Sequence, residues 1–514
     1  MTATRRGHDT SFDVVVVGGG GSGLAAALSA AQAGAKVVAL EKQPFLGGTT
    51  GIAVGSFTAA NTRPQRARGI DDNAAWHDED AARFAPTEIE RRNHAELRKH
   101  FLAHAGETLS WLESLGLTFH GPSTEPPNRV PRMHNVVPGA KAYIAALEKA
   151  TLRHRGRIVR DADVRALVRD RDGRVCGVRA TVEGQPREYQ AARGVILAAG
   201  DYASAADLIA RHKGAEFAVV EGINPHATGD GQRLAESAGA NLVNMDITYG
   251  PELRFVAPTG RAFQDWLPVS GPIARVVAVL APRMPAFVMR AVVKRLLVTW
   301  QHPENALFAD GAILVNRDGE RFVDETASPA RELAVARQSG KEAFIVLDQR
   351  LVERYSAWPH FISTAPDIAY AYVKDYARLR RDVAIEGPAI EPLARRRGID
   401  VARLAKTIAA YNRFAAGEAD DDFGRVTRGA ALTGGAWALL GPVRAYFTTT
   451  EGGAAVDLHG RALDPSGRVI EGLYAVGQNG LGGMILWGHG LHIAWAMTSG
   501  RLAGLHAAGA SQSS

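Results

Sequence analysis

Cysteine is nearly absent from this chain: Cys176 is the only one among 514 residues. A single thiol excludes an internal disulfide, a cysteine-held iron–sulfur cluster and a C-x-x-C-H haem attachment site within the chain. An excess of one charge is also missing, because 60 Lys and Arg residues against 54 Asp and Glu residues leave a formal net charge of +6. The basic residues are scattered, so we expect no nucleic-acid partner.

Long hydrophobic runs are missing too. No uninterrupted stretch of about 18 apolar residues occurs, so we expect no membrane-spanning helix. Residues 1–17, MTATRRGHDTSFDVVVV, contain an Arg pair but no separate apolar segment and no cleavage site, which favours a first strand over a signal peptide. We therefore predict a cytoplasmic protein. Its 46% hydrophobic and 22% charged residues are typical of a globular chain, and its length indicates two or three domains.

The first motif lies at residues 12–42, FDVVVVGGGGSGLAAALSAAQAGAKVVALEK. An apolar run leads into Gly18-x-Gly20-x-x-Gly23, then an Ala-rich helix, a second strand and Glu41. Gly18 permits a tight turn, Gly20 lets the backbone approach a pyrophosphate, and Gly23 lets the helix pack on the strand. The pyrophosphate is expected at the helix N-terminus, and Glu41 can hold a ribose hydroxyl. This order predicts a dinucleotide-binding βαβ unit.

The residues after the acid indicate which dinucleotide binds. EKQPFLGGTTG (41–51) resembles the EK…GG-x-T segment that wraps FAD in the superfamily of fumarate reductase/succinate dehydrogenase flavoprotein subunits and 3-ketosteroid 1-dehydrogenases. GVILAAGDY (194–202) is similar to a family strand that ends in an Ala-Thr-Gly-Gly turn. Further segments resemble the family in the correct order, namely ATGDGQRLAESAGA (227–240), GAILVNRDGERFVDE (311–325), YNRFAAGEADDDFGR (411–425) and TEGGAAVDLHGRALDPSGRVIEGLYAVGQ (450–478).

The resemblance implies an α/β fold. We expect a Rossmann-like FAD-binding domain of the glutathione-reductase type with an inserted α+β cap or catalytic domain. The first part of the FAD-binding domain is predicted at residues 1–250, the inserted domain at 251–440 and the second part at 441–514. Residues 62–135 are polar and predict either helical cover or loops, and we assign them no functional role. No second G-x-G-x-x-G occurs, so a separate NAD domain is not expected.

The glycine motif and the resemblance together predict a set of residues that contact FAD. Histidine is absent from GIAVGSFTAAN (51–61), where one family branch attaches FAD covalently, so we predict non-covalent FAD. We expect no metal. The predicted contacts are Gly18, Gly20, Gly21, Ser22, Gly23, Glu41, Lys42, Gly47, Gly48, Thr49, Thr50, Gly51, Val164, Ala199, Gly200, Asp230, Gly477, Gln478, Gly490, Leu491, His492 and Ile493.

The fumarate reductase branch of the family is matched poorly at its reactive positions. Its proton-donor arginine aligns with Pro329, one histidine aligns near Pro251, a second aligns with Thr449, and its carboxylate-binding arginine aligns with Trp487. Two buried carboxylates need paired charges. The alignment therefore disfavours a dicarboxylate substrate.

The ketosteroid dehydrogenase branch is matched in part. Its glycine, whose N–H holds the substrate carbonyl, aligns with Gly490, whereas the tyrosine before the last helix aligns with Leu486. We predict His489 as the replacement acid or base, because histidine titrates near neutral pH. Further candidates, each with a plain packing role as the alternative, are Tyr249, Tyr446 and Trp487. For His492 we favour a structural role within the last helix.

One stretch bears on the substrate. Residues 266–303 contain no acid and carry basic side chains among apolar ones. They predict either a basic amphipathic helix on an anionic membrane surface or an apolar cap helix. Either fits an apolar substrate or a quinone acceptor, and the first implies peripheral membrane contact. The basic residues are Arg275, Arg283, Arg290, Lys294 and Arg295.

Together these observations predict an FAD-dependent dehydrogenase or reductase that acts on a CH–CH bond beside a carbonyl. The first hypothesis is desaturation of an apolar or cyclic ketone, similar to 3-ketosteroid dehydrogenation, with hydride transfer to flavin N5 and a quinone or other electron acceptor. The second is an enoate or fumarate-type reductase fed by a partner. The third is a flavoprotein without an organic substrate that serves electron transfer or partner binding.

Overall fold

The computed structural model describes residues 10–258, 294, 295, 298, 302–365 and 369–510. Among these residues no helix is both long and apolar enough to cross a bilayer. Of the predicted basic helix, Arg275, Arg283 and Arg290 lie outside the described residues. Lys294 is described, and its Nζ lies 2.9 Å from Asp375 Oδ2.

The strands of the described residues are numbered in chain order. They are β1 Ser11–Val17, β2 Val37–Leu40, β3 Ser56–Thr58, β4 Thr118–Ser123, β5 Met133–Val137, β6 Arg157–Val159, β7 Ala162–Arg169, β8 Val175–Val182, β9 Gln185–Leu197, β10 Glu221–Gly222, β11 Leu242–Val243, β12 Thr248–Tyr249, β13 Glu252–Phe255, β14 Ile313–Val315, β15 Ala343–Leu347, β16 Ser363–Ala365, β17 Ala369–Ala371, β18 Ala384–Gly387, β19 Trp437–Phe447, β20 Thr449–Thr450, β21 Gly453–Ala454, β22 Arg461–Leu463 and β23 Val469–Ala475.

The helices surround these strands. The α-helices are Gly21–Gln32, Gly48–Ile52, Arg63–Ala67, Ala74–Ala81, Thr87–Glu90, Ala95–Ser114, Lys141–Arg153, Ala206–His212, Asp230–Ser237, Ala306–Ala309, Ala330–Ala336, Gln349–Arg354, Val373–Leu379, Ile390–Arg397, Val401–Ala416 and Leu491–Ala507, and the 3₁₀-helices are Ala215–Val219, Ser339–Lys341 and Gly477–Gly480.

The first sheet has eight strands in the order β22-β23-β9-β1-β2-β6, with β8 paired to β9 and β7 paired to β8. β1 is parallel to both β2 and β9. The apolar run of β1 is buried because strands flank it and helices cover it, as parallel sheets require. The last helix packs closely on the first, since a Cβ on Gly500 would lie 2.2 Å from Ser22 O. The two chain-distant helices therefore meet beside the glycine turn.

The second sheet has six strands, with β10, β13, β15 and β18 all paired to β19 and β14 paired to β15. Its apolar strands form a separate core with the helices of residues 302–416. β19 runs across the predicted boundary at residue 440, and β10 joins this sheet from the first part of the chain. The three-part division at residues 250 and 440 stays a prediction.

Residues 62–135, to which we assign no role from the sequence, pack on the last helix and share the apolar core of the first sheet. They contribute the helix Ala95–Ser114, several shorter helices and strand β4, which joins β5 and β3 in a three-stranded sheet. Arg132 is fully buried there, with Nη2 donating to Asp72 Oδ1 at 2.7 Å and Nη1 donating to Asp80 Oδ2 at 2.6 Å. This network of ion pairs stabilises the region of residues 62–135, which places Glu125 next to the start of the last helix.

Candidate active site

The glycine turn after β1 opens onto a cavity. Gly18 has a φ of +111°, and a Cβ there would lie 2.4 Å from Ala198 O, so only glycine fits. The first helix begins at Gly21 with neither a side-chain cap nor an acidic residue in its first turn. Its unpaired N–H groups and its dipole suit an anionic group such as a pyrophosphate.

Glu41 stands at the end of β2, where the sequence predicts a ribose contact. Its side-chain Oε2 accepts the Gly19 N–H at 2.7 Å, and Oε1 accepts the Gln43 N–H at 2.8 Å. The residue is 9% exposed. Each carboxylate oxygen has a second lone pair, so Glu41 can accept a sugar hydroxyl while it holds the glycine turn.

The cavity is lined by many of the residues that were predicted to contact FAD. Lys42 Nζ donates to Asp230 Oδ2 at 2.7 Å and to Thr228 Oγ1 at 2.6 Å, which links two predicted segments across its rim. The predicted residues that line it are Gly18, Gly20, Gly21, Ser22, Glu41, Lys42, Gly48, Thr49, Thr50, Val164, Ala199, Gly200, Asp230 and Gln478.

The other predicted FAD contacts do not line this cavity but support it. Gly23 packs against Gly18 O, Gly47 N donates to Gly19 O at 3.0 Å, Gly51 N donates to Gly47 O at 2.9 Å, and Gly477 N donates to Ser499 Oγ at 2.9 Å. The remaining four belong to the start of the last helix, namely Gly490, Leu491, His492 and Ile493.

Several lining residues were not predicted. Asn224 donates from Nδ2 to Thr49 Oγ1 at 2.9 Å, and Asp201 is buried in the wall. Phe45 is exposed at the cavity and meets His226 edge to face, with ring centroids 5.8 Å apart. No local pattern distinguishes these side chains from ordinary loop residues, because the fold brings them together from distant segments.

The residues present fit FAD. The turn and helix start suit the pyrophosphate, and Glu41 suits the ribose. Within the part of the chain that the structure describes, the buried Gln478 Oε1 and Asn479 Nδ2 atoms have no hydrogen-bond partner. Buried polar atoms of this kind normally bond to something, and a bound polar cofactor would satisfy Gln478 in the cavity wall.

A pair formed by His489 and Glu125 lies at the start of the last helix. Glu125 is 5% exposed, and its Oε1 accepts the backbone N–H of His489 at 3.0 Å and a close hydrogen bond from the Nδ1 of the same residue. The His489 side chain is 64% exposed. The hydrogen bond to Glu125 raises the pKa of His489, which favours the protonated imidazole.

Gly490, the next residue, is fixed by strand β3. Its φ is +81°, and Thr58 Oγ1 donates to His489 O at 2.7 Å. A Cβ at Gly490 would lie 2.8 Å from Thr58 Oγ1 and 3.0 Å from the backbone of Ser56. Among the described residues, no acceptor binds the Gly490 N–H. This N–H can therefore donate a hydrogen bond to a carbonyl oxygen.

Two of the predicted aromatic residues form a wall together. Tyr249 and Trp487 meet edge to face, with ring centroids 5.7 Å apart and an interplanar angle of 80°. Burial raises the pKa of Tyr249 to about 12, so its hydroxyl stays protonated at neutral pH. No described contact joins Tyr446 to this wall. Tyr446 lies opposite Glu221 and Glu252 in the second sheet.

His492 has a buried partner of its own. Its Nε2 lies 2.8 Å from Oε1 of Glu451, which is fully buried. Glu451 Oε2 also accepts the Leu486 N–H at 3.4 Å. The hydrogen bond from His492 to Glu451 thus stabilises the start of the last helix, which agrees with a structural role for His492. A further ion pair lies nearby, with Arg254 Nη2 donating to Glu252 Oε2 at 2.9 Å.

Comparison with known proteins identifies the family. The FAD binding domain model matches residues 13–254 and 291–487. A probable fumarate reductase of Shewanella frigidimarina is 28% identical over 98% of this chain and 76% of its own length. The vinyl phenol reductase of Lactiplantibacillus plantarum is 27% identical over 98% of this chain and 97% of its own.

Solved structures give the same fold. The open conformation of a flavocytochrome c3 fumarate reductase superposes with a TM-score of 0.72 and 26% identity, covering 98% of this chain and 79% of that one. The 3-ketosteroid delta1-dehydrogenase of Sterolibacterium denitrificans superposes with a TM-score of 0.63 and 19% identity, covering 98% and 100%. These matches confirm the predicted superfamily, the α/β fold class and FAD as the cofactor. The chain belongs to the FAD-binding-domain family, as an FAD-dependent oxidoreductase.

Proposed function

We propose that this protein acts on the carbon–carbon bond beside the carbonyl of an uncharged, largely apolar compound. The observation that carries the proposal is the His489–Glu125 pair next to the Gly490 N–H, with Tyr249 and Trp487 as an aromatic wall. Hydrogen-bond donors and apolar surface thus stand together at the start of the last helix. This combination suits a neutral carbonyl compound.

The chemistry depends on charge that develops at the carbonyl oxygen. When bound, FAD supplies the hydride acceptor or donor. The Gly490 N–H and the protonated His489 can stabilise the developing negative charge on that oxygen. Glu125 orients the imidazole through Nδ1, which leaves Nε2 for the substrate. The dipole of the last helix adds positive potential at the same point.

The charges around the site support an uncharged substrate. The positions that align with the cationic residues of the fumarate reductase branch hold Pro251, Pro329, Thr449 and Trp487. Arg254, which acts electrostatically on His489, is already paired with Glu252. These four positions therefore offer no cation to pair with the two carboxylates of a buried diacid.

We propose desaturation of a cyclic ketone as the first reaction. Reduction of a conjugated alkene is a second candidate, because relatives are a probable fumarate reductase and a vinyl phenol reductase. The high pKa of Tyr249 and the raised pKa of His489 also suit proton donation to carbon. A quinone or another acceptor as the electron partner, and peripheral membrane contact, remain predictions.

An anaerobic experiment tests the direction of the reaction. The oxidised FAD-loaded protein is mixed with saturated cyclic ketones, and loss of the visible flavin absorbance is followed. We expect bleaching by at least one ketone and a large loss of rate in His489→Ala with FAD content unchanged. The matched control His154→Ala removes an exposed histidine at the end of another helix and should keep the rate. If no ketone bleaches the flavin while an enone re-oxidises the reduced protein, the direction is reduction.

A further inference from the structure

Asp201 is a carboxyl group in the cavity wall to which neither the motifs nor the proposed chemistry assigns a role. It stands in GVILAAGDY, where the similar family strand ends in Ala-Thr-Gly-Gly, so an acid occupies the position of the second glycine. Asp201 lines the cavity beside Ala199 and Gly200, and it is 1% exposed. A buried acid at this point is costly unless it has a partner.

The contacts of Asp201 are hydrogen bonds with neutral groups. Oδ1 accepts the Ala203 N–H at 2.9 Å, and Oδ2 accepts the Thr449 hydroxyl at 3.2 Å. The oxygen of that hydroxyl accepts Gln478 Nε2 at 2.7 Å. Gln478 lines the same cavity, and its Oε1 is one of the buried atoms without a described partner. A short chain of hydrogen bonds thus links Asp201 to a second side chain of the cavity wall.

The charged groups around Asp201 are already engaged. His492 acts on it electrostatically but is bonded to Glu451, and Lys42 across the cavity is bonded to Asp230. Tyr202, the next residue, donates its hydroxyl to Met245 O at 2.5 Å. Within the described residues, no cation forms an ion pair with Asp201. Burial accordingly raises its pKa to about 6.

We propose that Asp201 binds a proton when the FAD in this cavity is reduced. Two electrons pass from the reductant to FAD, and one proton from solvent bonds to Oδ2 of Asp201, so the carboxylate becomes a neutral acid. Added negative charge in a buried cavity disfavours a second one nearby, which drives this uptake. By linkage, protonation of Asp201 makes FAD easier to reduce. The inference rests on FAD binding and not on the proposed substrate.

The test is a dye-mediated potentiometric titration of the FAD-loaded protein from about pH 5 to about pH 9, for the wild type and for Asp201→Asn. Asparagine keeps the shape and is neutral at every pH. At low pH the two potentials should agree, because Asp201 is neutral in both redox states. Over the pH range in which Asp201 is ionised in the oxidised protein and protonated in the reduced protein, the wild-type potential should fall below that of the variant by about 30 mV per pH unit. This slope corresponds to a tenfold change in the equilibrium constant of a two-electron reduction per pH unit. Taking the difference cancels the protons of the flavin itself.

The matched control is Asp246→Asn. It removes an exposed carboxyl that is paired with Arg92, whose hydrogen bonds lower the pKa of Asp246. The difference in reduction potential between this variant and the wild type should therefore not change with pH. A flat difference for Asp201→Asn as well would overturn the proposal. Thr449→Val removes a hydrogen-bond donor to the Asp201 carboxylate, so the pH range in which the wild-type-like slope appears should move to higher pH.

A measurement on the wild type covers the case in which Asp201→Asn does not hold FAD. Reduced-minus-oxidised infrared spectra should show a protonated carboxyl band that shifts when aspartate is labelled with carbon-13. Absence of such a band near neutral pH would refute proton uptake by Asp201. Neither measurement uses an organic substrate, so a failure here is distinct from a failure of the proposed reaction.

Discussion

The substitution Glu41→Gln tests how the cavity holds its cofactor. The amide has nearly the shape of the carboxylate but carries no charge and only one acceptor oxygen. In the structure both oxygens are already used, by the Gly19 N–H at 2.7 Å and the Gln43 N–H at 2.8 Å. One of these N–H groups would therefore face the new NH₂ group, and the predicted contact to a ribose hydroxyl would lose its charged acceptor.

The magnitude follows from the kind of bond that is lost. Hydrogen bonds to charged groups contribute about 1.5–3 kcal/mol, and the burial of Glu41 leaves little screening by solvent. Since about 1.4 kcal/mol is tenfold in affinity, the loss of one such bond to FAD should raise its Kd roughly 10- to 100-fold. The glycine turn should also lose stability, because one N–H is left without its acceptor.

The assay is a titration of FAD-free protein with FAD, followed by quenching of flavin fluorescence. Glu188→Gln is the control, because it neutralises an exposed glutamate that pairs with Arg179 across strands β8 and β9. The control should bind FAD as the wild type does. A folded Glu41→Gln protein with wild-type FAD affinity would show that this carboxylate does not contact the cofactor.

Other substitutions test the remaining parts of the account. Glu125→Gln should lower the pKa of His489, since the carboxylate raises it, and should move the His489-dependent limb of the pH–rate profile to lower pH; an unmoved limb would contradict the pairing. Gly18→Ala should abolish FAD retention because its Cβ meets backbone, whereas Gly34→Ala has a similar positive φ and open space and should retain FAD. Arg132→Met removes the cation that pairs with the buried Asp72 and one of the cations that pair with Asp80, which keeps Arg129. The substitution should lower the free energy of unfolding, measured in urea, by about 3–5 kcal/mol, and a loss under about 1 kcal/mol would contradict an intact buried network.

The cavity around the glycine turn could be predicted because its parts are adjacent in the chain. Gly18, the helix that follows and Glu41 form one βαβ unit, and the structure places them around the cavity. Turn, helix start and acid are determined by local spacing, which a sequence displays directly.

The residues that tune the reactive part could not be predicted in this way. Glu125 meets His489 across 364 positions, and Glu125 lies in a region without a recognisable pattern. Such a contact depends on how the cover of residues 62–135 packs on the last helix. Asp201 was not predicted, because its burial and its bond with Thr449 emerge only when distant segments of the chain meet. Tyr249 and Trp487 were predicted separately, and the fold brings them together.

The central claim is that the substrate is an uncharged carbonyl compound. The most direct test mixes chemically reduced protein with cyclohexenone or with fumarate, anaerobically and at equal concentrations, and compares the rates of flavin re-oxidation. Because Trp487 and Thr449 stand where the fumarate reductase branch has an arginine and a histidine, cyclohexenone should re-oxidise the flavin faster. Faster re-oxidation by fumarate would contradict the account.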